Sequence, residues 1–398
     1  MITKEPFTQS ERYAVSVLAS LYSFRMLGLF MVLPLLGVYA SDLPGATPQL
    51  LGIALGAYGL TQALLQLPLG WLSDRIGRRP VVFVGLLVFI AGSVVAARAD
   101  TITDIIIGRF LQGCGAIAAA LTAMAADYTR DSQRTKTMAI IGASVGLSFV
   151  IALVAGPVLA ALGGLSLVFS VTAMLGVIGL IIVGLVLPHN PHHQHALTRG
   201  EFEVEHIFGG GLPALYLSIF VLHAILMASF LVVPKLMADE IGFPADHHWA
   251  LYLGAVLLSL PPALMLMRYG RGNAEPRVPV LLGILAVVAG ALLALNAPSL
   301  WWMATGMVLL FIGINALEAI LPSLLTRLAP GRLRGTASGV FSTSQFLGIF
   351  VGGTAGGYVL GAGGVAAVSY TVLTVSVVWL LVAFNFRMEA STTTLQGE

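Results

Sequence analysis

The chain has 398 residues, of which 58% are hydrophobic and 10% charged, with a formal net charge of +2 and a mean hydropathy of +0.94. A soluble domain carries about 25% charged residues, so a water-solvated globule is excluded and lipid is the expected solvent. The net charge is too small to suggest a nucleic-acid partner, and the single Cys114 excludes an internal disulfide or a cysteine-based metal cluster.

A helix needs about 20 mostly apolar residues to cross the hydrocarbon core. Twelve stretches qualify: 13–40, 48–73, 79–98, 103–127, 136–163, 166–188, 211–237, 248–268, 277–296, 299–327, 335–361 and 364–386. Strand-like alternation is absent, and only helices or closed barrels satisfy the backbone in lipid. The expected class is an all-α polytopic membrane protein. Span 1 is too long for a signal core and contains Arg25, so it is expected to remain as a helix. With loops alternating sides, Arg98 and Lys235 fall on one face, and Arg25 and Arg109 lie within spans. The rest of the 20 basic residues share the other face with both termini. The positive-inside rule makes that face cytoplasmic, in a bacterial inner membrane.

Span 1 carries Arg25 beside Gly28. An ionisable group at the bilayer centre costs roughly 2.5–3.5 kcal/mol even on lenient scales, so Arg25 faces a partner or a cavity. It is a candidate to pair with Glu318 or to bind an anionic substrate. Tyr58, Gln62 and Gln66 form one stripe on span 2, read as cavity lining or as helix–helix hydrogen bonding. Gly70-Trp71-Leu72-Ser73-Asp74-Arg75-Ile76-Gly77-Arg78-Arg79-Pro80 follows. Its charges place it at a membrane face. Gly70 allows close helix approach. Asp74 is expected against the positive N-terminal end of span 11, near Gly335-Thr336, and Arg78 against Asp127 at the end of span 4. Those contacts would shut the cytoplasmic side and favour an outward-facing state. Alternatively, Arg75, Arg78 and Arg79 only enforce topology.

Arg109 stands within span 4 and is expected to bind carbonyls in the core. Gly146, Gly156 and Pro157 are read as a helix-packing motif in span 5. A polar stretch at 189–210 holds His189, His192, His193, His195, Glu201, Glu203 and Glu205, and reads as a solvated linker rather than a metal site. His223 in span 7 either titrates, as histidine can near neutral pH, or satisfies a backbone carbonyl. Glu318 is the one carboxylate deep in a span. With Asn315 a turn earlier, it is a candidate proton-coupling site or a structural interhelical bond. Ser338, Ser342 and Gln345 repeat the polar stripe on span 11.

The halves echo each other. Leu33-Pro34 matches Val233-Pro234, and Arg75-Ile76-Gly77-Arg78 matches Arg268-Tyr269-Gly270-Arg271. Asp74 is matched by Met267, so a gate built on it is asymmetric. The expected organisation is a bundle at 1–188, a cytoplasmic linker at 189–210 and a second bundle at 211–398.

Three motifs carry a family resemblance. Gly70-x-x-x-Asp74-Arg75-x-Gly77-Arg78-Arg79 resembles the loop signature of the major facilitator superfamily. Ile107-Gly108-Arg109-Phe110-Leu111-Gln112-Gly113 resembles its membrane-embedded arginine motif, which implies a part for Arg109 in proton coupling. Gly146 through Gly156-Pro157 to Gly163 resembles the glycine-proline motif of the drug:proton antiporters, departing from it at Ala160 and Ala161. Phe24-Arg25-Met26-Leu27-Gly28, Asn315-Ala316-Leu317-Glu318-Ala319 and Phe341 to Gly348 are similar to the YajR-like branch. That branch can carry a soluble C-terminal domain, which the short segment after span 12 gives no reason to expect here.

The resemblance implies two pseudo-symmetric six-helix bundles with a substrate site between them near the midplane. It further implies alternating access and efflux of small amphipathic molecules in exchange for protons. A proton-coupled carrier of one metabolite and a non-transporting sensor or scaffold are the alternatives. No nucleotide loop or nucleophile–base pair suggests an enzyme, and no cofactor or metal is expected. The expected partners are a small-molecule substrate, protons and the bilayer, with the chain a monomer.

Overall fold

The computed structural model describes residues 6–187, 208–272, 277–329 and 333–385. Among these, all regular structure is helical. The helices are α1 (Gln9–Val32), α2 (Leu36–Tyr39), α3 (Pro48–Ile76), α4 (Arg78–Ala97), α5 (Ile102–Cys114), α6 (Ala118–Asp127) and α7 (Arg134–Ile181). The second half supplies α8 (Leu212–Asp239), α9 (His248–Gly272), α10 (Arg277–Leu295), α11 (Leu300–Leu328) and α12 (Arg334–Asn385). The expected linker, with its histidines and glutamates, lies outside the described residues except at 208–210.

The starts follow from the sequence. Thr8 and Glu11 make a capping box at α1, and Thr101 and Asp104 make one at α5. Thr47 caps α3 with Pro48 in its first turn. α1 with α2, and α5 with α6, each form one broken span. The second break falls at Gly115, where a Cβ would collide with the Gly85 carbonyl of α4.

Among the described residues ten helical segments are long and apolar enough to cross a membrane, against the twelve expected. The difference lies in α7 and α12, which are 48 and 52 residues long. Each is broken at a Gly-Gly pair. Gly164 and Gly364 have φ of 63° and 67°, and both are preceded by a non-helical glycine. The ψ values of Gly164 and Gly364, −165° and −163°, are extended, and positive φ with extended ψ is essentially confined to glycine.

Contacts with α1 give the direction of each arm. In the first arm of α7, Ser144 bonds to the Ala19 carbonyl and Gly156 faces Met31. In the second, Gly179 faces Leu21 and the Val186 carbonyl accepts from Tyr13. One arm therefore runs with α1 and the other against it. Likewise Gly348 faces Phe220 and Trp379 bonds to Ser218. Both lie at one level of α8, so α12 also doubles back. The pairs are hairpins without loops, and the ten segments supply twelve span-length arms.

The two halves of the chain meet along a seam. Its tightest part joins the start of α3 to the middle of α12. A Cβ at Gly56 would stand 2.7 Å from the Phe350 carbonyl oxygen, and one at Gly59 would stand 2.7 Å from that of Phe346. Gly52 and Gly353 also touch backbone to backbone, and Gly37 abuts the Leu231 carbonyl of α8. These contacts lie toward one face, called here the far face. The opposite face carries Asp74, Arg75, Arg78, Arg79 and Arg130 and is called the basic face.

Toward the basic face the seam parts. Leu67 still touches the Gly339 position, but a Cβ at Gly335 would meet nothing within 4 Å. Gly142 and Gly146 share a face of α7 with Phe149, whose ring lies 5.9 Å from that of Phe311 in the second half. That face looks across the seam, yet nothing stands within 4 Å of either glycine position. Gly146 is therefore not the packing contact expected of it. Gly156, beside Pro157, is one, 2.6 Å from the Met31 carbonyl oxygen. The core has the same form. One large apolar cluster spans both halves, while a separate one including Leu18, Val82, Leu121 and Val183 belongs to the first half alone.

Candidate functional site

Three helices of the second half bring His223 (α8), Glu318 (α11) and Gln345 (α12) together. His223 Nδ1 lies 3.0 Å from the Ile219 carbonyl oxygen one turn earlier, which assigns the ring's proton to Nδ1. Nε2 then faces Glu318 Oε1 at 3.1 Å and the Gln345 amide nitrogen at 2.9 Å. Gln345 also reaches Glu318 Oε1 at 3.5 Å. The direct N···O approach of His223 and Glu318 is favourable only with a proton between them. That proton sits on Nε2 as imidazolium or on Glu318 as a carboxylic acid. The His223 side chain is 8% exposed and that of Glu318 38%, so the carboxyl is the side of the pair open to its surroundings.

Arg25 is not at Glu318. Its Nη2 donates to Tyr58 Oη at 2.9 Å, because α1 packs in the first-half bundle against α7 and α6 rather than against α11. Arg109 reaches the same tyrosine, with its guanidinium carbon 5.1 Å from the ring centroid, and donates to Gln112 Oε1 at 3.1 Å rather than to main-chain carbonyls. Gln112 passes the contact to Ser93 at 2.9 Å, and Gln62 donates to the Gly113 carbonyl at 3.0 Å. The Arg109-Phe110-Leu111-Gln112-Gly113 segment thus docks α5 onto α3 and α4. A Cβ at Gly113 would stand 2.5 Å from the Tyr58 carbonyl oxygen.

Tyr58, Gln62 and Gln66 are all buried. Asn315 turns away from Glu318 and donates to Ser259 of α9 at 2.9 Å. Ser338 is exposed and Ser342 half-buried, both toward the basic face from Gln345.

At the basic face Arg78 is the hub. Its Nε lies 3.1 Å from Asp127 Oδ2, and its Nη1 donates to Ser73 Oγ at 3.0 Å and to Asp74. Gly77, at φ 98°, makes the α3–α4 turn. Arg75 lies over the Trp71 ring, and Arg79 donates to the Gly184 carbonyl. The expected contact of Asp74 with the start of α12 is not made. Asp74 pairs with Arg78 and its side chain is 46% exposed. Gly70 faces Ala119 of its own half, 3.2 Å from the Cβ position, instead of α12. The parted seam takes the start of α12 out of reach.

Sequence reasoning missed Glu11. Only 5% exposed, it caps Thr8 and takes three hydrogen bonds from Arg130, at 2.9, 3.0 and 3.0 Å. Arg130 also donates to the Pro6 carbonyl at 3.0 Å. The entry to α1 is thereby strapped to the α6–α7 connection. The Thr8-x-x-Glu11 spacing was the available signal for the cap.

Residues 18–353 match the family model described as Major Facilitator Superfamily. The chain belongs to that superfamily. It is 40% identical over 385 residues to the inner membrane transport protein YajR of Escherichia coli K12, covering 96% of this chain and 84% of that one. The multidrug resistance protein MdtL of Klebsiella pneumoniae is 31% identical over 352 residues, covering 81% and 82%. The quinolone resistance protein NorA of Staphylococcus aureus is 23% identical, covering 82% and 84%. Among solved structures, a bacterial homologue of the human lysosomal transporter Spinster, inward-facing and unoccupied, superposes with a TM-score of 0.75 at 13% identity, covering 96% and 98%. The nucleoside transporter NupG gives 0.72 at 14%, covering 94% and 98%. At these identities the structural matches speak for the fold. The chain is a multi-pass membrane transporter of small molecules, not an enzyme.

Proposed function

We propose that the protein exports small amphipathic molecules in exchange for protons, as a monomer, by rocking the halves 1–188 and 211–398 about a central site. The observation that carries this reading is the His223–Glu318 contact, a proton-holding pair placed mid-helix beside the seam. The efflux relatives at 31% and 23% identity support the direction of transport. One charge moving through 100 mV releases about 2.3 kcal/mol, enough for a roughly 50-fold gradient of a neutral substrate.

The basic face is read as cytoplasmic, with both termini on that side. The structure is then an inward-facing state, shut at the far face by α3 and α12. In the opposite state Asp74 meets the N-terminal end of α12 and latches the cytoplasmic side, with Arg78 and Asp127 holding the loop in shape. Carriage of one specific metabolite is the second reading, favoured by the buried polar stripe Tyr58, Gln62 and Gln66.

Proteoliposomes with an imposed pH gradient, screened with dyes, drugs and metabolites, test the proposal. Gradient-driven flux of amphipathic dyes in wild type, made gradient-independent by Glu318→Gln, is the expected result. Flux that ignores the gradient in wild type overturns proton coupling. No flux of any compound supports a non-transporting sensor.

A further inference from the structure

The first-half cluster around Tyr58 carries more positive charge than its surroundings neutralise. Arg25 and Arg109 are 2% and 1% exposed. Both approach one phenol, Arg25 at the hydroxyl and Arg109 at the ring. Guanidinium groups stay protonated in proteins. Yet Nε and Nη1 of Arg25, and Nε and Nη2 of Arg109, are buried without a hydrogen bond to protein. Among the described residues no ion pair places a carboxylate on either arginine, and Glu318 is held by His223 and Gln345.

A buried guanidinium with no counter-charge is strongly unfavourable. Two of them, four unmatched nitrogens and no acid make a poor structural device but a good receptor for an anion, which fork-shaped donors bind bidentately. The Tyr58 hydroxyl accepts from Arg25 and so keeps its own hydrogen to donate. Tyr58 also sits on the seam, with Phe346 of the opposite half against its ring. Parting α3 from α12 would uncover it.

We propose that Arg25, Arg109 and Tyr58 form an anion-binding subsite, and that the transported molecules carry an oxyanion group, a carboxylate or a phosphate, held there. This deepens the transport reading above and rests on it. A cationic amphiphile would meet two like charges at this position and is selected against.

The test uses the full-length protein in detergent micelles. Its unfolding temperature is followed as sodium chloride is replaced, at constant ionic strength, by sodium benzoate, acetate or phosphate. Benzamide and benzylammonium chloride are the neutral and cationic arms. A saturable rise with the oxyanions and none with benzamide or benzylammonium is expected. Arg25→Gln and Arg109→Gln should weaken the apparent affinity at least about tenfold, the loss of one charge-assisted hydrogen bond. Arg25→Lys and Tyr58→Phe, milder variants in case the glutamines fail to fold, should weaken it severalfold. Glu318→Gln should leave the anion response intact. No saturable rise in wild type, or a response undiminished in every arginine and tyrosine variant, overturns the proposal. An intact benzoate response together with gradient-independent flux overturns the proton reading instead.

Discussion

Tyr58 and Phe346 meet edge to face across the seam, with ring centroids 6.4 Å apart and planes at 60°. The pair marks where the two halves stop touching backbone to backbone. Toward the far face, glycines at 52, 56 and 59 let α3 lie directly on α12. Toward the basic face Leu67 meets the Gly339 position, and nothing stands within 4 Å of the Gly335 position. The state of the seam therefore depends on glycine at a few positions on α3.

Gly56→Val should prevent closure of the far face, because a backbone carbonyl stands 2.7 Å from the Cβ position and cannot swing aside. The population should shift to the opposite state. A cysteine introduced at Ser342, toward the basic face, should be alkylated severalfold more slowly in the Gly56→Val background. An unchanged labelling rate would show that the glycine contact does not control closure.

His223→Gln removes the ring that shares a proton with Glu318. Gradient-driven efflux should fall at least about tenfold while substrate exchange without a gradient persists, since only the proton's roughly 2.3 kcal/mol per 100 mV is lost. Parallel counterflow and gradient assays in the same vesicles make the comparison. Loss of both would assign His223 to folding or substrate binding.

Glu11→Gln should destabilise the protein by about 1–2 kcal/mol. Removing one partner of a fully buried ion pair costs about 3–5 kcal/mol, but the Arg130 side chain is 40% exposed and water offsets part of this. Unfolding midpoints of Glu11→Gln, Arg130→Gln and the double variant form a cycle, and the double variant should cost less than the sum. Additive losses would mean that the strap is not cooperative.

Gly164→Ala forces a side chain into backbone at φ 63°, ψ −165°, a region essentially confined to glycine, and should cost about 1–3 kcal/mol. Gly164→Asn should cost as much, because the tolerance of asparagine is for the left-handed helical well at ψ near about +47°. Melting midpoints of the purified variants would rank them. Equal midpoints for alanine and wild type would show that the hairpin tolerates another conformation.

Hydropathy made the spans legible, including the divisions after 163 and 361 that the glycine pairs create. The missing loops were not legible, because a Gly-Gly bend has no polar residues to announce it. Sequence marked Arg25, His223, Glu318 and Gln345 singly as buried polar groups, but their pairing depends on how four helices rotate. Charge alone suggested Arg25 for Glu318, and packing assigned His223. The Arg78–Asp127 contact joins helix ends at one face, where the choice of partners is small. The Asp74 contact is not made because the seam is parted where α12 begins, and no residue in the sequence announces that parting.

The glycine elbows at 163–164 and 363–364 also limit what the protein displays. Two of its turns at the far face are sealed within bent helices, so any binder of that face must grip the remaining short loops. An epitope tag set between Gly163 and Gly164 would have to break a hairpin to be seen, while one at Pro44-Gly45 would not.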